Sequence, residues 1–141
     1  MKDNVALTVS SLLSLLLFSF HIADDIVRGF EEGNMSNAGA FPIFLLWLVA
    51  IVMLAGRRSG LVILLLLSIL SAAVPLLHMS GKGMGVHSSI GRTGGAFFFV
   101  WTLLALGASS LLSASLAARG LWRLRRRPAA GTAEGTLQGA E

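Results

Sequence analysis

The sequence predicts an all-α membrane protein, a bundle of four transmembrane helices with both termini in the cytoplasm. Three observations predict it. Of 141 residues, 55% are hydrophobic and 13% charged, about half the charge of an ordinary soluble domain, and the mean hydropathy is +0.78. Four apolar stretches of bilayer-spanning length alternate with short charged or glycine-rich segments, and Lys and Arg crowd onto alternate connections. So little charge cannot solvate a free domain of this size. That excludes an ordinary soluble enzyme, a disordered chain and a nucleic-acid-binding module. The absence of cysteine excludes a disulfide scaffold, a thiolate metal site and a cysteine nucleophile.

A helix needs about 20 apolar residues to cross a hydrocarbon core about 30 Å thick. The first is expected over 5–23, with Thr8, Ser10, Ser11, Ser14, Ser19 and His21 as its polar residues. The second, 40–56, lies in the uncharged stretch from Met35 to Gly56 and has Pro42 in its first turn, where a missing N–H costs little. The third, 61–79, contains Pro75, and the fourth, 96–118, opens with Phe97, Phe98, Phe99 and Trp101, read as an interfacial aromatic belt.

The segment Gly56-Arg57-Arg58-Ser59-Gly60 is a tight turn that makes the second and third helices antiparallel neighbours. The connection from Asp24 to Asn37 is acidic and that from Ser80 to Gly95 is rich in glycine. Its Gly81-x-Gly83-x-Gly85 follows no strand and has no phosphate-loop ending, so it is read as a hairpin loop. Residues 1–122 form the four-helix domain. Residues 123–141 are a basic juxtamembrane segment and a tail, mostly Ala, Gly, Thr and Glu from Pro128 onward, read as disordered.

Orientation follows from the basic residues. Lys2, Arg57, Arg58, Arg119, Arg123, Arg125, Arg126 and Arg127 fall on one side, against Arg28, Lys82 and Arg92 on the other. Eight against three puts both termini in the cytoplasm and argues against dual insertion. Lys2, the apolar run and Ala23 also resemble a signal peptide. Asp3 in the basic region, and His21 three residues before such a cut, favour an uncleaved first helix.

Lipid tails are as apolar as leucine, so membrane helices associate through small residues and a few polar contacts. Ala105, Ser109, Ser113 and Ala117 form such a stripe on the fourth helix. Packing within the chain is the first reading of it, and a homo-oligomer or a membrane-protein partner the second. Arg119, Arg123, Arg125, Arg126 and Arg127, with Trp122, point to anionic lipid headgroups.

At a rise of 1.5 Å per residue, His21 and His78 lie about 10 and 12 Å above the midplane, in the outer leaflet. Ser11, Ser14, Phe18, His21 and Asp25 share one face of the first helix, and Ser68, Ser71, Ala72, Pro75 and His78 share one face of the third. Ionisable groups in membrane segments are costly and mark function when they face the interior. His21 and His78 are therefore candidate cofactor ligands. Asp24, Asp25 and His87 are further candidates in a metal site, and the same groups suit haem, a quinone or a proton. The competing reading leaves the histidines at headgroup depth and Asp24 in an i, i+4 pair with Arg28.

The segment His21-Ile-Ala-Asp24-Asp25-Ile-Val-Arg28-Gly-Phe-Glu31 and the later Ala96-Phe97-Phe98-Phe99-Val-Trp101-Thr-Leu-Leu-Ala-Leu resemble an uncharacterised group of small bacterial four-helix integral membrane proteins. The resemblance covers the chain to about Trp122 and implies a multi-pass protein of the bacterial plasma membrane. It carries over no functional residue. The small multidrug-resistance transporters share the helix count but bear a glutamate inside the first helix, which this chain lacks.

Three roles follow. The first is a non-enzymatic structural, accessory or interaction protein, and it requires the fewest assumptions. The second is a metal-, haem- or quinone-binding protein built on His21 and His78. The third is a small transporter or proton pathway along the serine-lined interior. No catalytic residue is singled out and no cofactor is specified.

Overall fold

The computed structural model describes residues 2–29, 33–34, 38–80 and 95–126. Among them the chain is all-helical, with α1 at Lys2–Val27, α2 at Ala40–Val52, α3 at Arg58–Ser80 and α4 at Ala96–Arg126. α1, α3 and α4 are long and apolar enough to cross a membrane.

α2 is not. It ends at Val52, four residues before the expected boundary, and its 13 residues span about 20 Å, short of a 30 Å core. The cause is local. The amides of Met53 and Leu54 both bond back to the Val49 carbonyl at 2.9 and 3.1 Å, which closes the last turn. Gly56 then takes φ +76°, a conformation open to glycine without penalty. Conversely, α4 runs eight residues past its expected end, so Arg119 to Arg126 are helical.

α4 is the pillar of the structure. It packs along α1 and α3, while α2 leans on α1 and α3 alone. The first turns of α1 and α3, the α2–α3 turn and the last turns of α4 lie together at one end, where Asn4, Leu61, Gly56 and Arg119 line one groove.

The pattern of burial inverts that of a water-soluble protein. Ser11, Ser14, Ser68, Ser110 and Ser113 are fully buried, while Leu66, Leu70, Leu104 and Leu111 are more than half exposed. The buried hydroxyls bond across helices. Ser14 Oγ donates to Ser109 Oγ at 3.0 Å, Ser11 pairs with Ser113, and Ser71 pairs with Ser110 at 2.6 Å. The α4 stripe is thus turned inward, with Ser109, Ser113 and Ala117 buried and Ala105 half-buried. Below the serines lies an apolar cluster of Leu7, Trp47, Ala50, Ile51, Leu61, Leu64 and Ala117.

Pro75 sits inside α3. It removes one helical hydrogen bond, and a Cβ on Gly107 of α4 would come within 3.1 Å of its ring. The small residue at 107 lets α3 and α4 approach one turn from His78.

Candidate metal centre

His21 and Asp25 are one helical turn apart on α1 and project from the same face. His21 Nε2 lies 3.4 Å from Asp25 Oδ2. His78 reaches the same oxygen from α3, with its Nε2 at 3.7 Å. The two imidazoles meet edge to face, their centroids 4.6 Å apart. One donor atom from each of the three residues lies within 4.8 Å of the others. The cluster is enclosed, with His21 4% and Asp25 7% exposed and the His78 side chain 15% exposed.

The hydrogen bonding fixes which atoms face inward. His78 Nδ1 lies 3.0 Å from the Val74 carbonyl oxygen. A carbonyl only accepts, so Nδ1 carries a proton, and in the neutral ring Nε2 presents a lone pair. That lone pair faces a carboxylate oxygen. Two acceptors held at this range repel unless a proton or a metal cation lies between them. A backbone carbonyl that sets the tautomer is also the usual outer partner of a metal-ligating histidine. On His21, Nδ1 is buried and has no hydrogen-bond partner among the described residues.

α4 supplies the third wall. Phe99 is 1% exposed and its ring lies 6.1 Å from that of His21 and 5.9 Å from that of His78. The sequence reading assigned Phe99 to the interfacial belt; its side chain instead turns inward. Phe97 and Trp101 do stay outside, stacked at 6.3 Å. The signal that would have found Phe99 is spacing. Phe99, Leu103, Leu106, Ser110 and Ser113 recur every three or four residues, and all are buried.

Arg28 roofs the cluster. Its Nε donates to Asp24 Oδ2 at 2.7 Å, its Nη2 donates to the Gly95 carbonyl at 2.9 Å, and its guanidinium lies 5.4 Å from the Phe99 ring centroid. Gly95 holds φ +93°, and its carbonyl also accepts the first amide bond of α4, from Phe99. Asp24 is therefore taken up by Arg28, as the i, i+4 reading had it, and stands outside the group of donors. His87 and Arg127 lie outside the described residues. Arg119, Arg123, Arg125 and Arg126 line the exposed last turns of α4 at the opposite end.

The geometry discriminates among cofactors. A porphyrin ligated by both histidines would have to slide between rings already in edge contact and displace the oxygen that both nitrogens face. A single ion needs no such opening. A tetrahedral ion with nitrogen and oxygen donors 2.0–2.1 Å away spaces its donors about 3.4 Å apart. Comparison of the chain with protein-family models, with curated proteins and with solved structures finds no match.

Proposed function

We propose that the chain is a small integral membrane protein that binds one first-row transition-metal ion through His21, Asp25 and His78. Both termini face the cytoplasm, and the site lies in the outer half of the membrane. Support for insertion comes from three long apolar helices and from leucines outside and serines inside. Support for the orientation comes from the eight basic residues that fall on one side.

The observation that carries the metal reading is the pair of contacts at one oxygen. His21 Nε2 and His78 Nε2 lie 3.4 and 3.7 Å from Asp25 Oδ2, close to the edge of a tetrahedron around such an ion. Two imidazoles and one carboxylate serve zinc in catalytic sites and iron(II) in facial triads. Three protein donors leave a position open to water or another ligand. The proposal is one of binding, and no reaction is assigned.

The test is elemental analysis of untagged protein, purified in detergent and equilibrated with zinc or iron(II). One ion per chain is expected for the parent protein. His21→Ala and His78→Ala should lose it and Asp24→Asn should keep it. A parent protein that retains neither metal overturns the proposal, as does retention by both histidine variants.

A further inference from the structure

We infer that the arginine-bearing end of the protein holds one anionic phospholipid by its phosphate, in a groove between α1, α4 and the α2–α3 turn. This rests on the membrane reading above and is independent of the metal. Arg119 and Arg123, one turn apart on α4, line a groove of 260 Å³ with Asn4, Leu7, Leu61 and Leu116. The arginines give the groove a positive wall and the leucines an apolar one. A smaller hollow continues from it beneath the α2–α3 turn, where Ile51, Leu54 and Leu64 line it beside Asn4 and Thr8, so the surface runs from charged to largely apolar.

That gradient fits an amphiphile. A soluble phosphate would use the arginines and gain nothing from the leucines. A lipid phosphate places its charge between two guanidinium forks and lays its acyl chains along Leu116 and Leu124, the more exposed leucines of the groove. Sites that enclose a whole small molecule run to about 300–1,000 Å³. At 260 Å³ this groove suits a headgroup, with the chains left in the bilayer. Trp122, exposed beside the groove with Arg126 4.2 Å from its ring centroid, sits where aromatic residues mark the membrane interface.

The test is native mass spectrometry of the full chain in detergent with equal amounts of phosphatidylglycerol and phosphatidylcholine bearing the same acyl chains. One phosphatidylglycerol should stay bound. Arg119→Gln/Arg123→Gln should weaken it roughly 30-fold or more, since each substitution removes a charge-assisted contact to the phosphate. Arg125→Gln/Arg126→Gln removes the same charge outside the groove and should change retention only a few-fold. Equal loss in both pairs would reduce the site to diffuse attraction and overturn the inference, as would equal retention of phosphatidylcholine. Glycerol phosphate competing as well as the lipid would overturn the lipid assignment. Failure of insertion shows separately, as release of the chain from cell membranes by alkaline carbonate.

Discussion

His78 Nε2 on α3 and Asp25 Oδ2 on α1 face each other across 3.7 Å, with the far nitrogen of the ring, Nδ1, donating to the Val74 carbonyl. This separates the two adjacent aspartates functionally. Asp25→Asn keeps the shape of the side chain and removes the charge that a cation needs. Loss of an outer partner costs about 10–100-fold in metal affinity, and a direct donor should cost more. Zinc titration should show Asp25→Asn weakened by over about 100-fold. Asp24→Asn, which removes the partner of Arg28 and no donor of the cluster, should stay within a few-fold.

Acid should release the metal. Histidine ligands must be unprotonated to bind, so protons compete with the ion, and the bound state carries fewer protons than the free one. Affinity therefore falls as pH drops. Asp25, Asp24 and Arg28 flank the site and shift the midpoint without changing the sign. Titrations between pH 8 and 5 check this, and a flat profile would remove the histidines from the site.

Phe99 packs against both imidazoles, whereas Phe97 and Phe98 face outward. Phe99→Ala should loosen the two histidines and lower zinc affinity about 10–100-fold, the range for groups that orient ligands. Phe97→Ala and Phe98→Ala should leave affinity unchanged. Equal effects from all three would mean that the aromatic run acts only through the membrane interface.

The same residue shows where reading the sequence stops. The polar faces of α1 and α3 were legible because serines and histidines recur at helical spacing among leucines, and such groups turn inward in lipid. Composition cannot say which of three consecutive phenylalanines follows the inward face; that depends on the register of α4, set by Ser109, Ser110 and Ser113 against α1 and α3. Nor could matching depth show that His21 and His78 meet, since depth leaves rotation about each helix free. Helix ends were harder still. α2 stops at Val52 because Leu54 and Gly56 turn the backbone, whereas hydropathy runs on to Ala55. α4 continues because leucine and arginine favour helix whether or not the surroundings are apolar.

Sidedness can be read with cysteine reporters, since the chain has no cysteine of its own. Ser59→Cys, in the exposed first turn of α3 beside Arg57 and Arg58, should react with an impermeant maleimide only after cells are opened. Asn34→Cys, exposed beyond α1, should react in intact cells. The reverse pattern would turn the protein over and move the histidine cluster to the cytoplasmic half.

The serine contacts should stabilise the structure through fit more than through hydrogen-bond strength. Hydrogen bonds between membrane helices average about 0.6 kcal/mol and reach about 1.7, because the separated helices also find partners. Ser113→Ala, which removes the bond to Ser11 but keeps the small volume, should therefore cost under about 1 kcal/mol. Ser113→Leu must force α4 away from α1 at a fully buried position. Overpacking of this kind costs about 1–3 kcal/mol, and more here, since the displaced helix carries Phe99 away from the histidines. Leu111→Ala and Leu112→Ala, on the exposed face, should be close to neutral. Reversible unfolding in mixed micelles gives the ranking. Ser113→Ala as damaging as Ser113→Leu would make the hydroxyl pair, and not the close approach, what joins α1 to α4.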